Sequence, residues 1–329
     1  MQIWTEFLAT QQISALRDNN TLCALDATGL LYVGGEDASD FLQNQLSNDI
    51  RKISPEQAQL STFSNAKGRM LGIMRVIQIE GGYLLVLPRS ILPAIQQELQ
   101  KFIIRSRVVL ADITDSFACF ALNTDNAQTV AEEIFPDELN QVHQSDSLIS
   151  LRLPGPAQQF RYLMLINDAQ EAIDCWKKLA TSLAINDARS WRLQEILAGI
   201  PTLYPETAGA FVLQMSNLQI IDGVSFKKGC FPGQEVVARM QYLGKLKRRM
   251  FLAETACTDC PAAGDELSSR SAVNPDGSGK IVDAVELEPG RCILLFIAQI
   301  EKTEAGELVL VKQPNCNLRL LPLPYAIPA

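Results

Sequence analysis

From about residue 247 to its end the chain shows hardly any helical period and offers six short apolar runs. They are "RRMFLAET", "DELSSRS", "GKIVDAVEL", "RCILLFIAQI", "ELVLVKQ" and "LRLLPLPY". Gly, Pro and Asp turns separate them. Strands this short with so little helix between them must cover their apolar faces with one another. The pattern predicts a small antiparallel barrel or sandwich over 245–329.

Upstream the pattern is mixed. "TLCALDATGLLYVGG" at 21–35 reads as two short strands around a turn at Thr28-Gly29. "DASDFLQNQLSNDI" follows as a helix capped by Asp37 or Ser39. "LSTFSNAKGRMLGIMRVIQI" reads as strand, turn at 65–68, strand. Pro93 fits the first turn of a helix whose apolar face is Leu92, Ile95, Leu99 and Phe102 or Ile103. Over 112–184 the order is strand, helix ("NAQTVAEEIF"), two strands and an amphipathic helix carrying Ala172, Ile173, Trp176, Leu179 and Ala180. That order predicts a ferredoxin-like split βαβ unit. A further helix over 187–201 is capped by Asp187 and stopped by Gly199 and Pro201.

The 329 residues exceed one ordinary domain, and 47% hydrophobic with 20% charged is a globular composition. Twenty-nine basic against 37 acidic residues leave a net charge of −8, which counts against non-specific coating of nucleic acid. Eight scattered cysteines, no basic-then-apolar leader and no apolar stretch near membrane length predict a cytoplasmic protein with reduced thiols. His143 is the only histidine, so histidine metal sites and Cys-His dyads have almost no material.

The stretch with most chemistry is "KKGCFPGQE" at 227–235. Gly229 and Pro232-Gly233 mark a bend, and "QEVVARM" opens a short helix. Cys230 is thereby expected near a helix N-terminus with Lys227 and Lys228 beside it, which favours the thiolate. The opposing reading is a small residue buried in a bend. "CTDC" at 257–260 lacks the second pair of ligands that structural zinc needs, unless Cys292 and Cys316 supply it; no metal site is expected. "KLKRR" at 245–249 reads as a solvated connector, or else as a phosphate-contacting patch. "NAKGR" is a hairpin tip carrying Lys67 and Arg69. Trp191 is core, or a wall for a flat heteroaromatic ligand.

Taken together, "SFKKGCFPGQEVVAR" (225–239), "FLQNQLSNDI" (41–50), "NAKGRM" (65–70) and "PLPY" (322–325) resemble the YgfZ proteins. These are folate-binding relatives of the glycine-cleavage aminomethyltransferase with a K-G-C-[FY]-x-G-Q-E signature. The resemblance implies an α+β, three-part aminomethyltransferase-like fold. Its parts would be a discontinuous folate-binding domain (1–111 with 186–244), the ferredoxin-like domain (112–185) and a C-terminal antiparallel β-barrel (245–329). It implies tetrahydrofolate or another folate as cofactor, and a role in tRNA modification through upkeep of iron–sulfur enzymes. Those enzymes are the implied clients, with direct tRNA binding disfavoured and no membrane role.

Cys230 matches the family's motif cysteine, with Lys228, Gly229, Gln234 and Glu235 supporting it. Trp191 matches one folate-associated tryptophan, whereas "DATGL" at 26–30 has none where a second is expected. Lys67, Arg69, Lys228 and Arg239 are candidate cations for an anionic folate tail. Beside this accessory role stands a second reading, a tetrahydrofolate-dependent aminomethyl transferase, and a third, a direct tRNA-binding module.

Overall fold

The computed structural model describes residues 1–17, 19–156 and 159–327. The chain forms two compact units. The first takes in Met1–Leu42, Ile50–Leu60 and Met74–Gln194, and the second Gln43–Asp49, Ser61–Ile73 and Glu195–Ala329. The expected ferredoxin-like segment 112–185 lies within the first unit. The expected barrel segment lies within the second, together with 195–244.

The first unit is built on a six-stranded sheet, in the order Ala184–Asn186, Thr21–Ala24, Ala118–Thr124, Phe160–Ile166, Leu148–Leu153, Val142–Gln144. Its pairs are antiparallel except Thr21–Ala24 with Ala184–Asn186. Strand alternation divides its side chains cleanly. Ala118, Phe120, Leu122, Tyr162, Met164 and Ile166 pack with Ala172, Ile173, Trp176 and Leu179 of the helix Ala169–Leu179, and with Trp4 of the helix Gln2–Leu8. Trp4, Phe120 and Trp176 meet with ring centroids 5.5–5.7 Å apart. The intervening residues Cys23, Cys119, Ala121, Leu163 and Leu165 pack with Leu30, Ile77, Leu84 and Val86. Those four belong to strands of a five-stranded sheet, in the order Gln59–Ser64, Met70–Ile79, Gly82–Pro88, Thr28–Gly34, Val109–Asp112.

Three local expectations change. The turn in 21–35 falls at 26–27, so Thr28-Gly29 open the second strand, and the strands Thr21–Ala24 and Thr28–Gly34 join different sheets. "NAQTVAEEIF" makes only a 3₁₀ turn, Ala127–Val130. Asn126 Oδ1 accepts from Gln128 N–H, β-branched Thr129 and Val130 disfavour extension, and Phe135 is drawn into the core. The helix Leu92–Gln100 buries Leu92, Ile95 and Leu99 as expected but ends before Phe102, which is exposed.

In the second unit the six expected C-terminal strands close into a barrel. Its order is Arg248–Ala256, Arg291–Gln299, Gly279–Glu288, Glu266–Ser269, Leu308–Leu310, Gln313–Leu321. Closure leaves no free edge, and the interior is filled by Ala253, Leu267, Ile281, Leu294, Phe296, Ala298 and Leu310. The mixed α/β fold with this antiparallel barrel agrees with the expected class. Among the described residues no helix is long and apolar enough to cross a membrane.

Candidate functional site

The KGC loop lies in the second unit. Phe231 is its buried anchor, and Gly233 (φ 79°) is the left-handed N-cap of the helix Gln234–Leu243. Phe231 O accepts from Gln234 N–H at 3.0 Å, and Gly233 O from Val237 N–H at 3.2 Å, which starts the helix. A Cβ on Gly233 would stand 2.4 Å from Gly68 Cα and 2.7 Å from Asn65 O. Only glycine permits that approach. The hairpin tip it meets is set by Asn65, whose Oδ1 accepts from Lys67 N–H (2.9 Å) and Arg69 N–H (3.1 Å). The "NAKGR" and "KGCFPGQE" motifs, some 160 residues apart in sequence, are therefore in direct backbone contact.

A third motif joins them through Lys228. Its ammonium is buried and donates to the carbonyls of Gln43 (2.5 Å), Leu46 (2.6 Å) and Asn48 (3.0 Å), with the Phe231 ring 5.4 Å away. The helix Ala38–Gln45 ends here, so the lysine supplies the cation and donors that terminal carbonyls require. Lys228 thus anchors the loop through these carbonyls. Ser47 Oγ donates to Gly223 O at 2.7 Å and Asn48 Nδ2 to Asp222 O at 2.6 Å, which fastens the same segment. Tyr325 of the fourth motif is tied elsewhere in this unit: its hydroxyl donates to Gly199 O at 2.8 Å and accepts from Asn217 Nδ2 at 3.4 Å.

On this frame Cys230 is exposed, the only cysteine in that class among the described residues. The opposing reading of a buried packing residue is thereby set aside. Gly229 has open space around it; Lys67, Glu235 and Arg239 are exposed, and Gln234 is half-buried. Arg69 is half-buried and donates to Ala210 O at 2.6 Å, so it braces the hairpin. Several polar atoms in this unit are buried and lack a partner among the described residues: Gln45 Oε1, Thr62 Oγ1, Gln214 Oε1, Ser216 Oγ and Gln219 Oε1. Buried polar atoms are normally satisfied, so this surplus suits a ligand with a hydrogen-bonding edge, or ordered water.

Trp191 belongs to the first unit. It is half-buried against the apolar cluster of Cys23, Leu163 and Leu165, with the Arg161 guanidinium 4.4 Å from its ring centroid. Arg161 is fully buried and also donates to Pro154 O. One face of the indole is thus already stacked on a cation. Next to it burial pushes the Cys23 thiol up to about 12, against a smaller lowering by Arg161. Arg161 was missed by sequence reading because a mid-strand arginine carries no local signal of burial.

Residues 2–145 match the family model for the GCVT N-terminal domain. Over the whole chain the fold is similar to the glycine cleavage system aminomethyltransferase T from Bartonella henselae. The two are 14% identical with a TM-score of 0.70, over 98% of this chain and 89% of that one. A heterotetrameric sarcosine oxidase from Corynebacterium sp. U-96 aligns over 49% of this chain and 82% of its own, at 14% identity and TM-score 0.34. The fold is GcvT-like, with the matched family domain at its N-terminal end.

Proposed function

We propose that this chain is a folate-binding accessory protein of the YgfZ kind, acting in the cytoplasm to support iron–sulfur enzymes that modify tRNA, with Cys230 as its reactive thiol. The observation that carries this reading is the convergence of the motifs. The stretches around 43–49, 65–70 and 222–237 are tied together by backbone contacts and buried hydrogen bonds, and the structure they hold presents an exposed cysteine. Stability alone gives no reason for a thiol in solvent at that position.

Tetrahydrofolate, when bound, supplies a one-carbon acceptor. The residues present fit a folate in kind. The buried polar surplus around Gln214, Ser216 and Gln219 offers acceptors for a pterin edge. Lys67 and Arg239 are exposed cations suited to an anionic tail. Arg69 and Lys228 are committed to carbonyls and are poorer candidates.

Two measurements test the proposal. Calorimetric titration with tetrahydrofolate should show saturable binding that weakens in the Lys67→Ala, Arg239→Ala double variant; no heat at millimolar ligand would remove folate from the function. In a strain lacking the gene, wild type should restore methylthiolated tRNA bases and Cys230→Ala should not. Restoration by Cys230→Ala would remove the thiol, whereas turnover of an aminomethyl donor by the purified protein would turn the assignment to a transferase.

A further inference from the structure

Four of the remaining cysteines meet inside the barrel. The strand Arg248–Ala256 runs antiparallel to Arg291–Gln299, with Thr255 opposite Cys292, and to Gln313–Leu321, with Thr255 opposite Leu318. Cys257 leaves the first of these strands beside the start of the second, its N–H bonded to Gly290 O at 3.0 Å. Cys292 and Cys316 therefore reach the same end of the barrel as the "CTDC" loop. Cys257 Sγ lies 3.8 Å from Cys292 Sγ, with Cys260 beside Cys292 and Cys316 beside Cys257. Gln313 clamps the loop: its Oε1 accepts from Asp259 N–H at 3.2 Å and its Nε2 donates to Asp259 O at 2.7 Å. Cys316 Sγ lies 3.8 Å from the same Oε1.

Two explanations for such a cluster are weaker. Filling a core needs no cluster of four thiols, since Ala, Val or Leu pack there without weakly polar S–H groups. Among the described residues no group of three or more Cys, His, Asp or Glu side chains has the disposition to hold a metal ion. What the arrangement does offer is sulfur against sulfur, with graded access. Cys292, Cys257 and Cys316 are buried at 0, 6 and 9% exposure, and Cys260 is half-exposed.

We propose that Cys257, Cys260, Cys292 and Cys316 form a thiol–disulfide exchange site whose substrate is a small-molecule disulfide, RSSR. Cys260 is the point of first attack. Its sulfur bonds to one sulfur of RSSR, the S–S bond breaks, and RSH leaves carrying the thiol proton. Cys292 then attacks the Cys260 sulfur, forming Cys260–Cys292 and releasing the second RSH. The balance is RSSR plus two protein thiols giving one protein disulfide plus two RSH, a two-electron transfer. Cys257, in contact with Cys292, can take over the bond by exchange without further oxidant. Burial pushes the Cys257 and Cys292 thiols up, the second also through its contact with Cys260. Access decides the order: Cys257, Cys292 and Cys316 are buried and Cys260 is half-exposed, so Cys260 meets the external disulfide first, and a neutral disulfide suits the apolar interior that a thiolate does not.

The test uses the full chain equilibrated with glutathione and glutathione disulfide at graded ratios, acid-quenched, alkylated and mapped by peptide mass spectrometry. Oxidising ratios should yield linked peptides joining Cys292 to Cys260 or Cys257, reversed on return to reducing ratios. Cys292→Ser should stall as a glutathione mixed disulfide on Cys260, and Cys260→Ser should slow oxidation by an order of magnitude or more. Glutathione confined to Cys230, with all four barrel cysteines still free thiols, would overturn the proposal. So would zinc bound one per chain on the native protein with those four cysteines protected from oxidation. If a variant fails to fold, the wild-type peptide map decides alone.

Discussion

The contact between Gly68 and Gly233 makes a sharp prediction because the same motif contains an internal control. Gly233 sits at φ 79°, where an L side chain costs about 1–2 kcal/mol. An added Cβ would also press on Gly68 Cα at 2.4 Å, Gly68 N at 2.5 Å and Asn65 O at 2.7 Å. These are backbone atoms of a tight turn and cannot yield as a flexible side chain would, which adds roughly 1–3 kcal/mol of overpacking. Gly233→Ala should therefore destabilise the second unit by about 2–5 kcal/mol, and a loss near 3 lowers its melting temperature by roughly 6–12 °C. Gly229, four residues earlier, meets nothing within 4 Å and lies outside the left-handed region. Gly229→Ala should fall within about 0.5 kcal/mol of wild type, or stabilise slightly through the unfolded chain. Differential scanning calorimetry supplies the melting temperatures. Hydrogen exchange over 65–70 and 229–237 tells whether the loss is local, since a two-unit chain need not unfold in one step. Equal effects from the two substitutions, or a neutral Gly233→Ala, would refute the close-approach argument.

Other outcomes follow from single contacts. Lys228→Met strips donors from three buried carbonyls and should cost roughly 3 kcal/mol, read as a lowered melting temperature; a neutral result would mean that water replaces the ammonium. Among thiols outside the barrel, Cys230 should react fastest with an aromatic disulfide at pH 8, and Cys230→Ala should delete that phase. Burial holds Cys23 and Cys119 near 12, so these should react only on unfolding, while Cys175, near 11 and half-buried, should react far more slowly than Cys230. The same shifts fix an alkaline limit. A thiol raised in the folded state favours folding fully below the unfolded value of 9.0, and that contribution is lost as pH rises toward about 12. Stability of the first unit should fall steeply over that range, and less steeply in the Cys23→Ala, Cys119→Ala double variant. Trp4 and Trp176 are buried and Trp191 is not, so acrylamide should quench one component of the fluorescence, which Trp191→Phe removes.

How much of this was legible in the sequence depended on whether the deciding interactions were local. The barrel strands could be read in advance because alternation and turn residues act within ten residues, and closure follows from having no helix to cover them. Helix ends at Gly199 and Gly233 were legible for the same reason. At 21–35 both strands were legible but the turn lies at 26–27, two residues earlier than read, and the sheet each strand joins is set by non-local partners, Ala118–Thr124 for one and Gly82–Pro88 for the other. Lys228 shows the same limit at the site. Beside a cysteine it reads as an activating charge, and only the fold brings it to carbonyls 180 or more residues earlier. Likewise no spacing in the sequence signals that Cys292 and Cys316 neighbour the "CTDC" loop; barrel register brings them there. Local sequence thus names the residues with chemistry to offer. Long-range pairing decides which of them spend it on holding the fold, as Lys228 and Arg69 do, and which remain presented to solvent, as Cys230 and Lys67 do.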